Sequence, residues 1–174
     1  MTKKKDRYRR SDGYTEIALV QFARDHLFAA EKLFHLGVRT LDSAAYLAQL
    51  GIEILLKALL LSATDEFPQE HSLLKLGCEV KKAIPSFEIA EPYSDVLPLL
   101  NRYYYLRYPA PSNVPGVTQG DWPVIKHIVD LIERHLPEQV RHSPDTSSAD
   151  KKAGRKIIRG RVTTSHTALN QRHR

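Results

Sequence analysis

Cysteine is nearly absent from this chain: of 174 residues, only Cys78 carries a thiol. No internal disulfide can form, which fits a reducing compartment. Cys78 sits in an apolar stretch with Leu74, Leu76 and Val80, and its expected state is a buried, inert thiol. Glycine is sparse as well. The eight glycines are nowhere grouped as a phosphate-cradling loop or a dinucleotide fingerprint requires. The histidines are scattered, and with one cysteine they supply no zinc-binding spacing. No metal and no cofactor is therefore expected. No run alternates apolar and polar residues long enough to read as a strand. The most apolar run, "IEILLKALLLS", is too short to span a bilayer and contains Glu53 and Lys57. The start, "MTKKKDRYRRSDGY", has charges without an apolar stretch of signal-peptide type behind them. The expected location is the cytoplasm, with no membrane association.

What is present is charge, and it is unevenly placed. Residues 1–13 carry a net +4, residues 137–174 a net +6, and residues 14–136 a net −4. A basic chain usually points to nucleic acid. Here the positive charge sits in the flanks, outside a mildly acidic middle. The flanks read either as solvated tails or as arms that grip phosphates. Three regions follow: a basic arm over 1–13, a helical domain over 14–136, and a basic, disordered tail over 137–174 whose apolar period is lost after Pro137.

The middle has helical period throughout. The first helix is expected from Thr15 to Leu36, with Thr15 as its N-cap, Leu19, Ala23, Leu27, Ala30 and Phe34 on one face, and Gly37 ending it in the left-handed conformation. The second runs from Leu41 to Ala63 and is apolar almost all round. Such a helix is central, or it faces both a core and a second subunit. Gly51 lies inside it at a cost of about 1 kcal/mol against alanine, which close approach of another helix would explain. The third covers Ser72 to Ile84. The fourth covers Tyr93 to Tyr108, with Pro98 as a kink or a first-turn residue. The fifth covers Asp121 to Leu136, capped by Asp121. Without strands or repeats, the fold class is all-α: an up-and-down bundle of four to five antiparallel helices with flexible basic termini.

Two stretches stand out within this frame. "PQEHSLLKL" opens the third helix with His71, whose imidazole is placed to cap the turn or to touch a ligand. "NRYYYLRYPAP" puts four tyrosines and two arginines within eight positions before Pro109 ends the helix. By helix period Tyr103 continues the core stripe of Val96 and Leu100. Arg107 and Tyr108 sit at the exit, where a guanidinium and a ring either pin the loop or hold a phosphate and a base.

"YLAQLGIEILLKALLL", "EHSLLKL" and "YLRYP", in this order and spacing, resemble the HEPN domain over about residues 14 to 136. The first supplies Glu53 and Lys57, spaced i, i+4 in the favourable order. The second supplies His71, and the third Arg107, Tyr108 and Pro109. The resemblance implies an up-and-down bundle that often dimerises. It also implies one of two activities. Many members are metal-independent ribonucleases, frequently toxins or antiviral effectors, with an Arg and a His separated by four to six residues near the dimer interface. Others lack that pair, carry the Arg-Tyr-Pro signature and are linked to small nucleotidyltransferases, with a nucleotide- or substrate-binding role.

This chain departs from the catalytic pattern. Five residues beyond Arg102 stands Arg107, and the eleven residues after Arg107 contain no histidine. Attack by a 2′-hydroxyl needs a group that titrates near neutral pH, which arginine is not. Only Arg159 and Arg161 with His166 match the spacing, and they lie in the tail. The sequence therefore reads as a non-catalytic module, homodimeric, that binds a nucleotide, RNA or a nucleotidyltransferase partner, in a toxin–antitoxin or defence setting. The ligand-binding candidates are Arg102, Arg107, Tyr108, His71, Glu53 and Lys57, with no catalytic residue. Two alternatives stand: an endoribonuclease toxin with an atypical site, and a structural interaction protein.

Overall fold

The computed structural model describes residues 6–89, 93–107 and 116–143. Helix α1 spans Glu16–Leu36 and α2 spans Leu41–Thr64. The Thr15 hydroxyl accepts the amide of Ala18 and so caps α1 as expected. Its core stripe runs through Val20, Ala23, Leu27, Ala30 and Phe34, with Leu19 at the edge. Gly37 ends α1 with φ 127° and ψ 179°, a positive φ but an extended ψ, not the left-handed helical turn. That turn falls instead to Asp65 after α2, at φ 59°.

Every residue from Gly51 to Leu61 of α2 is buried. The helix is long and apolar enough to cross a membrane by length and composition, but 83% of that window is covered by the chain's own packing. The all-round apolar surface is thus buried within one subunit and needs no second subunit to cover it. Gly51 does face close approach: a Cβ there would lie 2.7 Å from Leu27 Cγ and 3.2 Å from the Ala23 carbonyl oxygen.

Helices α3 (Leu73–Ala83), α4 (Val96–Arg102), α5 (Asp121–Arg134) and the short α6 (Glu138–Arg141) complete the bundle. The fourth helix is shorter than its period suggested. It begins at Val96, puts Pro98 in its first turn, and tightens after Arg102 into a 3-10 segment over Tyr103–Arg107. Tyr103 is fully buried, and its hydroxyl donates to the Asp121 carboxylate at 3.3 Å. Burial, reinforced by that negative charge, keeps its phenol protonated far above the ordinary range. Asp121 opens α5 as its first helical residue and also accepts from the Thr118 amide and hydroxyl.

Four further expectations are corrected. First, a two-stranded antiparallel ribbon exists. β1 (Arg7–Arg9) pairs with β2 (Glu66–Pro68), with Tyr8 opposite Phe67. Three-residue strands are too short to show alternation. Second, residues 7–12 are not a solvated arm. Arg7 pairs with Glu66 and Glu79, Arg9 with Glu66, and Arg10 with Asp65 and, through two nitrogens, Glu16. The positive arm is anchored by the acids of the negative domain, while Tyr8, Tyr14 and Phe67 pack ring against ring. Third, apolar order continues past Pro137: Val140 is buried, and the Arg141 carbonyl accepts from Arg24 at 2.8 Å. Cys78 departs from expectation as well. The face of α3 carrying Leu73, Leu76 and Val80 is buried, and Cys78 lies off it, exposed.

Gly51→Ala tests the helix contact. Alanine gains about 1 kcal/mol of helix propensity, but overpacking a fitted interface costs typically about 1–3 kcal/mol. The blocking atoms are a branched Cγ and a backbone oxygen, which yield poorly. Net destabilisation is expected in urea melts, larger for Gly51→Val; a gain in stability would refute the close-approach account.

Candidate functional site

A buried carboxylate organises the site. Gln49, Glu53 and Lys57 follow each other at intervals of four on α2, so they line one strip of an otherwise apolar helix. Glu53 is 3% exposed. Its Oε1 accepts from Lys57 Nζ at 2.7 Å and lies 3.0 Å from His71 Nδ1. Its Oε2 accepts from Gln49 Nε2 at 3.4 Å. Gln49 Nε2 also reaches the His71 carbonyl, which leaves Gln49 Oε1 buried without a partner. Both neighbours of the amide group are acceptors, so the amide orientation is determined. A charge this deep is tolerated only with such partners.

Facing the Glu53 carboxylate, Nδ1 serves as the donor whenever the His71 ring is neutral. Nε2 is then the acceptor, on the ring edge away from Glu53. The side chain is 56% exposed, so that edge is open to solvent. His71 does not cap α3; Ser72 does, through the Lys75 amide. The ring stacks on Tyr104, with centroids 6.0 Å apart and planes 23° from parallel. The Tyr104 hydroxyl accepts from Arg107 Nη1 at 2.8 Å, and the Arg107 guanidinium also lies over the Tyr104 and Tyr46 rings. The 3-10 turn produces this arrangement. It places Arg107 three residues after Tyr104, on the same side of a three-residue repeat.

A cavity of about 280 Å³ opens between Glu70, His71, Ser72, Asn101, Tyr104 and Tyr105. The amides of His71, Ser72, Leu73 and Lys75 at the entry to α3 are engaged. Glu70 Oε1 accepts from the amides of His71 and Ser72 at 2.9 and 3.0 Å, and Asn101 Oδ1 accepts from the Leu73 amide at 2.7 Å. With Oδ1 so held, the Asn101 amide group is left as a donor. The Ser72 amide first, then Lys75 and the His71 amide, hold the Glu70 carboxyl down to about 2.

The structure thus brings His71, Glu53 and Lys57 together, and links Arg107 to them through the Tyr104 ring that His71 stacks on; Arg107 does not line the cavity. Arg102 is exposed at the end of α4 and does not line the cavity. Tyr108 lies outside the described residues. Sequence reasoning missed Gln49, Glu70, Asn101, Tyr104 and Tyr46. The four-residue spacing of Gln49, Glu53 and Lys57 on an apolar helix was a usable signal. Nothing in the sequence links Asn101 to the start of α3. Among the described residues, no group of three His, Cys, Asp or Glu side chains is placed to hold a metal ion.

Two predictions separate structure from site. Glu53→Gln leaves the Lys57 ammonium, 11% exposed, without its counter-charge, and should cost about 3 kcal/mol or more. Glu53→Leu with Lys57→Met should recover most of that, because no buried charge remains, yet should release His71. Chemical-denaturation midpoints read the first effect and His71 NMR shifts the second; a double variant as unstable as Glu53→Gln would disprove the account. The depressed Glu70 carboxyl stabilises the fold above its ordinary value of 4.5, and that contribution is lost as pH falls towards about 2. Glu70→Gln should therefore be less stable than the parent at pH 6, with the gap closing on acidification. A gap independent of pH would assign the loss to shape alone.

The family comparison agrees with this geometry. The model of the HEPN domain matches residues 18–132, a span that runs from the first turn of α1 to the last turn of α5 and holds every described site residue. No curated protein and no solved structure matches this chain. A match over well more than half the chain, on an all-α bundle with the polar strip of α2 facing the start of α3, places this protein in the HEPN domain family.

Proposed function

We propose that this HEPN domain is a non-catalytic binding module, and that it takes a nucleotide or a short single-stranded RNA at the His71–Tyr104–Arg107 cluster. The supporting observation is the stack itself: an exposed imidazole, a tyrosine ring and a guanidinium in sequence beside a cavity of about 280 Å³. A base has aromatic faces to lie against, worth about 1–3 kcal/mol per base in single-strand binders. A phosphate has the Arg107 guanidinium. Asn101 offers a donor and His71 Nε2 an acceptor to base edges or a ribose hydroxyl. The bound state of a nucleotidyltransferase partner would place a nucleotide of the same chemistry here.

A second reading, a metal-independent ribonuclease, is favoured by one observation. Helix α4 carries no histidine near Arg107, but the fold brings His71 from the start of α3 against the Tyr104 ring that Arg107 also contacts. Its Nε2 could take a proton from a 2′-hydroxyl while Arg107 faces the phosphate. Among the described residues, Glu70 at the cavity is held as a carboxylate and Lys57 is buried on Glu53, so neither is placed to protonate the leaving oxygen. The binding reading therefore stands first.

Both are tested by one set of proteins. Oligoribonucleotide and mononucleotide binding should fall about tenfold or more in Tyr104→Ala and Arg107→Ala, with melting unchanged, and weaken with salt. RNA incubated with excess chelator should stay intact. Cleavage that is lost in both His71→Ala and Arg107→Ala would promote the ribonuclease. Binding unaffected by all three substitutions would remove the site from either role.

A further inference from the structure

The seam between α3 and α4 holds a second cavity that the binding reading above leaves unused. The two helices run antiparallel. The Leu73 amide at the head of α3 meets Asn101 near the end of α4, and further along Gly77 packs against Leu97, where an added Cβ would lie 3.0 Å from Leu97 Cδ2. The first cavity opens at the Ser72–Asn101 end of the seam. The second, also about 280 Å³, opens at the other end, between Leu74, Cys78 and Lys81 on α3, Leu97 and Pro98 on α4, and Ile89. Its walls are mostly apolar, and Leu74, Cys78 and Pro98 are exposed. Ammonium groups stand along the seam. Lys75 lies three residues after Ser72 and three before Cys78, is exposed, and pairs with Glu70 at 3.0 Å. Lys81 faces Glu88 at 4.0 Å, beyond hydrogen-bond length. Exposed pairs of this kind are worth about 0–1 kcal/mol, so a phosphate can replace either carboxylate at little cost.

We infer that the second cavity takes the neighbouring base of a bound RNA strand, so that the seam receives an unpaired dinucleotide rather than a single nucleotide; this rests on the binding reading above. The first base lies against His71 and Tyr104, with its outer phosphate at Arg107. The linking phosphate falls beside Lys75, and the second base enters between the apolar faces of Leu74 and Pro98. From Ser72 to Cys78 is six residues, about 9 Å along α3 at 1.5 Å per residue. Neighbouring bases in a duplex strand stand about 3.4 Å apart. The two cavities therefore hold bases splayed apart, the form in which single strands are read, and exclude a duplex. Size agrees: a drug-sized ligand fills about 300–1,000 Å³, so each cavity alone is small and the two in line suit a dinucleotide. Apolar walls accept the face of any base, so the second position is tolerant of sequence. An apolar small molecule would use the walls but leave the ammonium groups along the seam without a role.

Cys78 is the chain's one thiol, so its reaction with N-ethylmaleimide reports on the second cavity alone. The full chain is titrated with uridine and adenosine 5′-monophosphates and with the 5′-phosphorylated dinucleotides UpU and ApA. The dinucleotides should bind about tenfold or more tighter than the mononucleotides and should slow the maleimide reaction, which the mononucleotides should not. Cys78→Phe fills the cavity from an exposed position. It should melt as the parent does, bind mononucleotides equally well, and bind dinucleotides no better than mononucleotides. Equal affinity for the two probe lengths in the parent, a dinucleotide advantage that persists in Cys78→Phe, or thiol protection by decanoate but not by the dinucleotides would each overturn the proposal; the last would give the cavity to an apolar small molecule. Arg107→Ala separates this from the reading beneath it. If the second cavity alone is wrong, mononucleotide binding that needs Arg107 remains; if neither probe binds the parent, or Arg107→Ala changes nothing, both fall.

Discussion

The architecture of this domain turns on one buried carboxylate. Glu53 sits in the most apolar helix of the chain, where an unpaired charge would be untenable. Its two oxygens are satisfied from three directions: Lys57 one turn on, Gln49 one turn back, and His71 from the next helix. The first two are local consequences of helix geometry. The third is tertiary, and it decides where the His71 imidazole stands. To satisfy Glu53, the segment before α3 must pass over the middle of α2, and it carries an imidazole to the surface with one nitrogen already engaged.

The rest of the site is built around that placement. Glu70 takes the amides of His71 and Ser72 and Asn101 that of Leu73, which fixes the start of α3. Tyr103 anchors the 3-10 turn by burial and a bond to Asp121 at the head of α5. With that ring fixed, Tyr104 faces His71 and Arg107 folds back on Tyr104. The site's groups therefore stand on α2, the start of α3 and the end of α4, each held by packing or by engaged hydrogen bonds. Such support lets a binding group act without first losing entropy.

The all-α class, the two long helices and the close approach at Gly51 were legible in the sequence. Apolar period and a glycine inside a long apolar helix leave few alternatives. The Glu53–Lys57 pair was legible because helix geometry relates positions four apart by itself. The ribbon of β1 and β2 was not, because three residues hold too little period. Cys78 was misplaced for a related reason: its neighbours in sequence are apolar, but its angle around α3 points it outward. The arm of residues 7–12 was read as a solvated tail or a phosphate-gripping arm because net charge says nothing about which acids lie nearby. Glu16, Asp65, Glu66 and Glu79 reach it only in the folded chain.

The sequence by itself determined what a helix can encode locally: where the helices run, which stripe each buries, and the three spaced motifs that mark a HEPN domain. The tertiary structure alone decided which histidine and which arginine share a tyrosine. The motif spacing along α4 held no His for Arg107, yet the loop that packs on α2 delivers His71 to the same tyrosine. The physical reason is range. Backbone hydrogen bonds and i, i+4 contacts act within one turn and can be read from neighbours in the chain. The contact of His71 with Glu53 spans 18 residues and that of Leu73 with Asn101 spans 28, and both are set by how the helices pack.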